Sequence, residues 1–473
     1  MSNTNHPLFL SGKFTHATNH HPVCAPWDGQ TLGVVAQATD EQIEQAIATA
    51  HSAVRHGRAI ATHTKREWLT QIASEIAAHR DEMANTLALE AGKPIRFALA
   101  EVDRSIQTFR LGAEECARLG GEVMALDMSA ATEGAVGGWT RVSPGALLAI
   151  TPFNFPLNLV AHKLAPALAL GMPTVLKPAP QTPLTALALA AIYQRVGVCE
   201  SLLSVLPMDH VQAARMVDDD RFAAISFTGS ASVGWDIQSR ASRRRTVLEL
   251  GGNASAIVAP DADALAVVDK LVTAAFAYAG QVCIKTQHVY VCRSQYQAFL
   301  DAVVARTAEI QVCDPMDPAG LCGPVIDAKS AERIARWIAE ARARGAVVHH
   351  EPNNEGNRVG PTVISLAVEG TSLFDEEVFG PVLLVHAYDS LEEVIAQIER
   401  GKFGLQCALF THDIRTIRSI FSRISVGALI VNDASTFRVD AMPYGGIKES
   451  GRGREGVRFA VDELADKKLL VLR

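Results

Sequence analysis

The sequence predicts an α/β chain built on doubly wound, mostly parallel sheets. Two observations predict it. From Gly145 onward, short apolar runs alternate with stretches of helical periodicity, the pattern of strand–helix–strand units around a buried sheet. A second set of such units follows Gly251, and a chain of 473 residues has room for two or three domains of about 100–200 residues each.

The elements follow in order. Helical periodicity fills Asp40–His56, Lys65–Glu90 and Phe97–Leu119. The texture changes near Gly121, and Gly134–Val142 reads as glycine-punctuated strand and turn. Then come a strand at 145–151, a helix over Leu157–Ala169 and a strand at 173–178. A helix over Thr185–Val196 and strands at 201–207 and 223–229 complete this unit. The second unit places strands near Ala254–Val258, Gln287–Val291, Val363–Leu366, Val382–Tyr388 and Ala428–Asn432. The tail, Lys467–Arg473, is an apolar strand without a nearby hairpin partner, so it pairs elsewhere in the chain or across a subunit interface.

Composition excludes several classes. The net charge is −7, from 44 basic and 51 acidic residues, and it is not gathered into blocks that would suit nucleic acid. The run Arg243–Arg245 reads as a solvated turn. No stretch approaches the ~18 apolar residues of a membrane span, and the N-terminus lacks a signal-peptide pattern, which predicts a cytoplasmic protein. The eight cysteines contain no CxxC pair and are read as packing or chemistry. No metal site is expected: His20, His21 and Cys24 lack a second ligand pair, His162 reads as structural, and His349-His350 as a solvated strand end.

Four segments could carry chemistry. Cys283 stands in Ala279-Gly-Gln-Val-Cys283, at a helix-to-strand junction; read alone, a packed structural thiol is the simpler account. Glu249, between two leucines and before Gly251-Gly252, should be partly buried, which raises a carboxylate's pKa and suits it to general-base work. Asn154 lies in Thr151-Pro-Phe-Asn-Phe-Pro156 at the carboxyl end of a strand, where it suits either oxyanion donation or a structural turn. Phe227-Thr-Gly229-Ser230 breaks a strand into a helix start, either a pyrophosphate site or an ordinary cap. The stretch Gly451–Gly456 matches GxGxxG but follows no predicted strand, so the cofactor is not placed there.

Together these segments resemble the aldehyde dehydrogenase superfamily. The matching motifs, in the family's order, are TPFNFP (151–156), LKPAPQTPL (176–184), FTGS (227–230), LELGG (248–252), GQVC (280–283), EEVFGPV (376–382) and PYGGIKESG (443–451). The resemblance implies Cys283 as nucleophile, Asn154 with the Cys283 N–H as oxyanion donors, and Glu249 as the base that activates water against the thioester. It implies cofactor contacts at Lys177, Gly229, Ser230, Glu377 and Phe379, with NAD or NADP as cofactor. Pro180 stands where many members carry a glutamate that accepts ribose hydroxyls and repels a 2′-phosphate, so the preference stays open.

The ending Phe437–Gly446 resembles the lactaldehyde and phosphorylated-aldehyde branch. Arg438 and Arg104 are the candidates for gripping the far end of a small oxygenated or anionic aldehyde, or are structural ion pairs. The architecture implied is a cofactor domain (1–121 and 144–251), a catalytic domain (252–449) and a β-flap (122–143 with 464–473) that makes a homodimer or homotetramer. A coenzyme A-acylating relative, a cofactor-free thiol esterase and a catalytically retired binding protein are the alternatives. Glu249, the cofactor motifs and the intact Cys283, Glu249 and Asn154 set argue against them in turn.

Overall fold

A computed structural model of the chain describes residues 5–473. Among these, two large sheets carry the fold. The first runs, edge to edge, through Gly451–Arg452, Arg245–Glu249, Phe222–Thr228, Ala146–Ile150, Thr174–Lys177, Leu203–Val205, Leu8–Leu10 and Lys13–Thr15. Its five central strands are parallel. From Ala146–Ile150 the chain winds one way to Thr174–Lys177 and Leu203–Val205. It then returns to the other side with Phe222–Thr228 and Arg245–Glu249. The order therefore reverses between Ala146–Ile150 and Phe222–Thr228, and the crevice at such a reversal is where doubly wound sheets bind ligands.

The second sheet runs Val347–His350, Thr362–Ser365, Val382–Tyr388, Thr286–Cys292, Ala254–Val258, Gln406–Phe410 and Ala428–Val431, parallel except at its first pair. Its central strands are buried along their length, as sheets covered on both faces require. The C-terminal strand Asp466–Leu472 pairs within the chain, antiparallel to Val136–Val142, which also pairs with Gly120–Ala125. This flap leaves Leu469, Leu470, Val471 and Leu472 exposed.

Two elements differ from the sequence reading. The periodic run 65–90 is two helices, Thr62–Ala78 and Arg80–Ala91, because His79 leaves helical geometry and its Nδ1 meets the Glu75 carbonyl at 2.9 Å. The strand read at 201–207 shortens to Leu203–Val205, since the Leu202 N–H closes a turn on the Cys199 carbonyl at 2.9 Å. The chain also returns late to the first sheet: Gly451–Arg452 joins its edge, and the helix Val457–Leu464 packs on Asn158–Leu170.

Candidate active site

The loop before Cys283 is shaped by its backbone. Tyr278, Ala279 and Gly280 have φ of +53°, +52° and +67°, a left-handed run that is strained for Tyr and Ala. Tertiary bonds hold it. The Tyr278 hydroxyl donates to the Ala91 carbonyl (3.1 Å), and the Gln281 side chain accepts from the Ile326 N–H (2.9 Å) while donating to the Pro324 carbonyl (3.1 Å). Cys283 leaves this turn with its Sγ 2.8 Å from the Tyr444 hydroxyl. Burial pushes the thiol up to about 12, against the opposing pull of the Tyr444 hydrogen bond and the Arg438 charge.

Asn154 is fixed from both sides. Its Nδ2 donates to the Gln281 carbonyl at 2.9 Å. The helix that follows, Asn158–Leu170, is anchored at its start by Glu101, whose Oε1 accepts from the Leu157 (2.9 Å) and Asn158 (3.1 Å) N–H groups. Glu101 pairs in turn with buried Lys93, whose ammonium lies 3.6 Å from the centre of the Phe155 ring.

Glu249 ends its strand buried, and neither carboxylate oxygen has a hydrogen-bond partner among the described residues. Burial, reinforced by the Glu455 charge, raises its pKa well above the usual carboxylate range, with Arg438 and Lys163 opposing. The two glycines after it bring three segments together. A Cβ on Gly251 would lie 2.2 Å from Glu377 Oε2, and one on Gly252 would lie 2.5 Å from the Cys283 carbonyl.

On one side of this centre a cavity of about 400 Å³ opens at the carboxyl ends of the parallel strands. It is lined in part by Phe153, Lys177, Pro180, Phe227, Gly229 and Val233. A Cβ on Gly229 would meet the Phe227 ring at 2.5 Å. Ser230 precedes the helix Ala231–Arg240 without capping it, its hydroxyl 3.4 Å from that of Ser232, so the first helical N–H groups remain available to an anion. Burial lowers Lys177 to about 8, with Asp209 opposing. Glu377 Oε1 accepts from the Gly252 N–H (3.1 Å), and burial raises this carboxyl to about 7. Phe379, at φ +44°, sets its ring edge-on to Phe153 at 5.8 Å. Gln287 fixes that loop through the Val378 N–H (2.9 Å) and the Glu376 carbonyl (2.8 Å). An apolar slot, a cation at a strand end and a free helix start fit a dinucleotide.

On the other side lies a buried polar hub around Asp440. Its Oδ1 accepts from Arg104 (2.6 Å), His162 Nε2 (2.9 Å) and Asn158 (3.1 Å), and its Oδ2 from Arg104 Nε (3.0 Å). Burial opposes ionisation there, yet His162 and Arg104 hold Asp440 well below its ordinary value. Arg438 donates to Glu455 (2.9 Å) and stacks 3.7 Å from the centre of the Tyr444 ring. Lys163 donates to Ser226 (3.0 Å) and Thr228 (2.7 Å) and lies 3.5 Å from Glu455. Burial works against the Glu455 charge too, but Lys163, His162 and Arg438 hold this carboxyl down to about 2.

The structure thus gathers Cys283, Glu249, Asn154, Glu377 and Arg438 at one centre, with Lys177, Pro180 and Gly229 at the cavity. Arg104 reaches the hub from the helix Ile95–Glu115. Asn158, His162, Lys163, Asp440, Tyr444 and Glu455 were not singled out for chemistry by the sequence. One signal pointed to them: a helix apolar enough to be buried all round that still carries Asn158, His162 and Lys163 must find them partners.

A thiol against a phenol, a buried and unpartnered glutamate, and a crevice with the shape and charge for a dinucleotide form the arrangement expected of a thiol-dependent dehydrogenase. The aldehyde dehydrogenase family model matches residues 14–470, and the chain belongs to that family. A 3-sulfolactaldehyde dehydrogenase of Priestia megaterium is 36% identical over 466 residues, covering 98% of this chain and 97% of that protein. The crystal structure of aldehyde dehydrogenase 21 from Physcomitrella patens, in complex with the reaction product succinate, matches at a TM-score of 0.97 and 36% identity, covering 100% of this chain and 99% of that one. An NADP-dependent glyceraldehyde-3-phosphate dehydrogenase from Bacillus halodurans, complexed with NADP, matches at 0.95 and 29% identity over 99% of each chain. The protein is an NAD(P)-dependent oxidoreductase acting on the aldehyde group.

Proposed function

We propose that this enzyme oxidises a small aldehyde bearing one anionic group or a hydroxyl, and releases the free acid. The observation that carries the substrate class is the hub of Arg104, Asn158, His162 and Asp440 beside the Arg438–Glu455 pair. These groups satisfy one another, but the edge of Arg104 not committed to Asp440 would gain no partner from a plain alkyl chain. Arg104 retains 28% of its side-chain exposure, so its outer edge is the part that meets a carboxylate or sulfonate. The names of the relatives support an anionic substrate: they act on a sulfolactaldehyde, yield succinate, or take glyceraldehyde 3-phosphate.

The Cys283 thiolate attacks the carbonyl carbon and forms a thiohemiacetal. Asn154, with its amide plane fixed by the Gln281 carbonyl, and the Cys283 N–H hold the oxyanion. Lys177, Gly229, Ser230, Glu377 and Phe379 would hold a nicotinamide cofactor, which would supply the hydride acceptor. Pro180 brings no carboxylate to repel a 2′-phosphate, so the pocket accepts NAD or NADP. Glu249, once ionised, deprotonates the water that cleaves the Cys283 thioester; a carboxylate with neither oxygen committed is free to do so. Hydrolysis by Glu249 disfavours acyl transfer to coenzyme A.

The exposed apolar flap strand supports a homodimer or homotetramer, checked by light scattering of the wild type and Leu470→Lys. No helix among the described residues is long and apolar enough to cross a membrane. The functional test is NADH and NADPH formation across anionic, hydroxylated and plain alkyl aldehydes. The substrate reading fails if alkyl aldehydes are turned over far more efficiently and Arg438→Ala and Arg104→Ala leave the ranking unchanged.

A further inference from the structure

A phenylalanine would fill the space under Cys283 as well as the Tyr444 ring does, since the ring packs with Ile284 and Leu405 in an apolar cluster. The hydroxyl is the excess. Among the described residues its hydrogen-bond partner is the Cys283 Sγ, at 2.8 Å. The ring is also held from two further directions. Tyr444 and Glu455 exchange backbone hydrogen bonds, and the Glu455 side chain fixes Arg438, whose guanidinium lies over the Tyr444 ring at 3.7 Å from its centre. Glu455, Arg438 and Tyr444 thus form a closed triangle with the phenol aimed at the sulfur. A cation over the face draws density from the ring and strengthens the phenol as a donor.

We propose that Tyr444 is a catalytic residue: its hydroxyl donates to the Cys283 thiolate, and the guanidinium of Arg438 behind it reinforces that donation. The inference rests on the reading of Cys283 as nucleophile. The groups facing the sulfur are Tyr444 and Arg438 from the 438–444 loop, Glu377 from the cofactor loop and Glu249 from the strand end. The two carboxyls, when ionised, oppose thiolate formation, so the favourable contributions come from the Tyr444–Arg438 side. Tyr444 keeps its own proton, because burial pushes the phenol well above 10, and the thiol proton goes to solvent.

The test is the rate of Cys283 alkylation by iodoacetamide against pH, read at the level of the Cys283 peptide to separate it from the other cysteines. Wild type, Tyr444→Phe and protein carrying 3-fluorotyrosine at 444 are compared, each with and without NADP. Tyr444→Phe should move the midpoint up by about one unit, so that alkylation at neutral pH slows about tenfold. Its kcat should fall by about 10–100-fold with an alkaline-shifted profile and little change in KM. The fluorinated side chain, a stronger donor that keeps the fold even should the Phe variant not, should move the midpoint down. A midpoint that is the same in all three proteins overturns the proposal. If alkylated Cys283 still supports NADPH formation, the nucleophile reading falls and the proposal with it.

Discussion

The two sides of Cys283, proposed to hold the cofactor and the substrate, are built differently. The cofactor side is made of strand ends, short turns and glycines: Thr151–Phe153, Ala179–Gln181 and Phe227–Gly229 each contribute as contiguous pieces. The substrate side is made of buried charges drawn from across the chain. Arg104 and Asp440 are 336 positions apart, and His162 and Asp440 are 278 apart. A cofactor common to a family can be held by local backbone geometry, because every member meets the same pyrophosphate. A substrate's distinguishing group must be read by side chains, and burying those requires partners from elsewhere in the fold. Glu249 lies at the boundary, buried with the charged side but left free of its bonds.

The largest expected effect lies at that boundary. Cys283→Ser should abolish NAD(P)H formation by a factor of about 10⁴ or more while cofactor binding, followed by fluorescence, persists. Loss of cofactor affinity as well would break the division between the two sides. Glu249→Gln should lower steady-state turnover by about 10²–10⁴-fold yet preserve a burst of about one NAD(P)H per subunit, since its task begins after the thioester forms. The raised pKa gives the wild type a sign. As the proposed base, Glu249 must be ionised, so activity should rise with pH as its carboxyl loses the proton, and that acidic limb should vanish from the residual activity of Glu249→Gln. A variant that loses the burst equally would show that Glu249 serves both halves of the reaction.

The division also explains what could be read in advance. Cys283, Glu249 and Asn154 lie in contiguous motifs whose geometry is local, as do Lys177 and Gly229. The strand–helix alternation gave most of the parallel strands of both sheets for the same reason, but not the edge strands Leu8–Leu10, Lys13–Thr15 and Gly451–Arg452. The substrate side was hidden because its members are ordinary residues until the chain folds. His162 reads as a structural histidine until Asp440 is brought to its Nε2. Glu455 sits inside the glycine stretch 451–456, whose spacing resembles a phosphate loop and distracts from the one carboxylate it contains. There Gly451 has φ +142°, and a Cβ would lie 2.1 Å from the Leu248 carbonyl; the stretch lays an edge strand on Arg245–Glu249. Tyr444 lies in a motif that marks the branch, but nothing local says that its hydroxyl meets a sulfur. Arg438, read from the sequence as a substrate contact or a structural ion pair, pairs with Glu455 and stacks on the Tyr444 ring, whose hydroxyl meets the Cys283 sulfur.

A smaller effect separates Arg104 from its partner. Arg104→Ala should raise KM for anionic aldehydes by about 10–100-fold and spare plain alkyl ones, as expected for a lost charge-assisted contact. Asp440→Ala should instead cost about 3–5 kcal/mol of stability, visible as a lower melting temperature, because it leaves Arg104, Asn158 and His162 without their acceptor. The Asp440 pKa is depressed on folding. Its contribution is therefore present above the unfolded value near 3.8 and disappears only as pH falls toward the lower folded one. The hub should therefore persist across the neutral range. Equal effects of Arg104→Ala on both aldehyde classes would make Arg104 a structural partner of Asp440 and nothing more.

The smallest effect tests the cofactor side. Pro180 lines the cavity three residues beyond Lys177, at the position where the family resemblance places a ribose-binding carboxylate. Pro180→Glu should reduce kcat/KM for NADP by about tenfold or more through like-charge repulsion with a 2′-phosphate. NAD should be spared or gain from a new acceptor for its ribose hydroxyls. The substitution changes one charge in a wall otherwise built of backbone and apolar side chains, so it should leave the ranking of aldehydes and the iodoacetamide reactivity of Cys283 untouched. If it alters either, the two sides of the cysteine communicate, and the path to examine is the loop from Glu377 to Phe379, whose ring stands against Phe153 at the mouth of the same cavity.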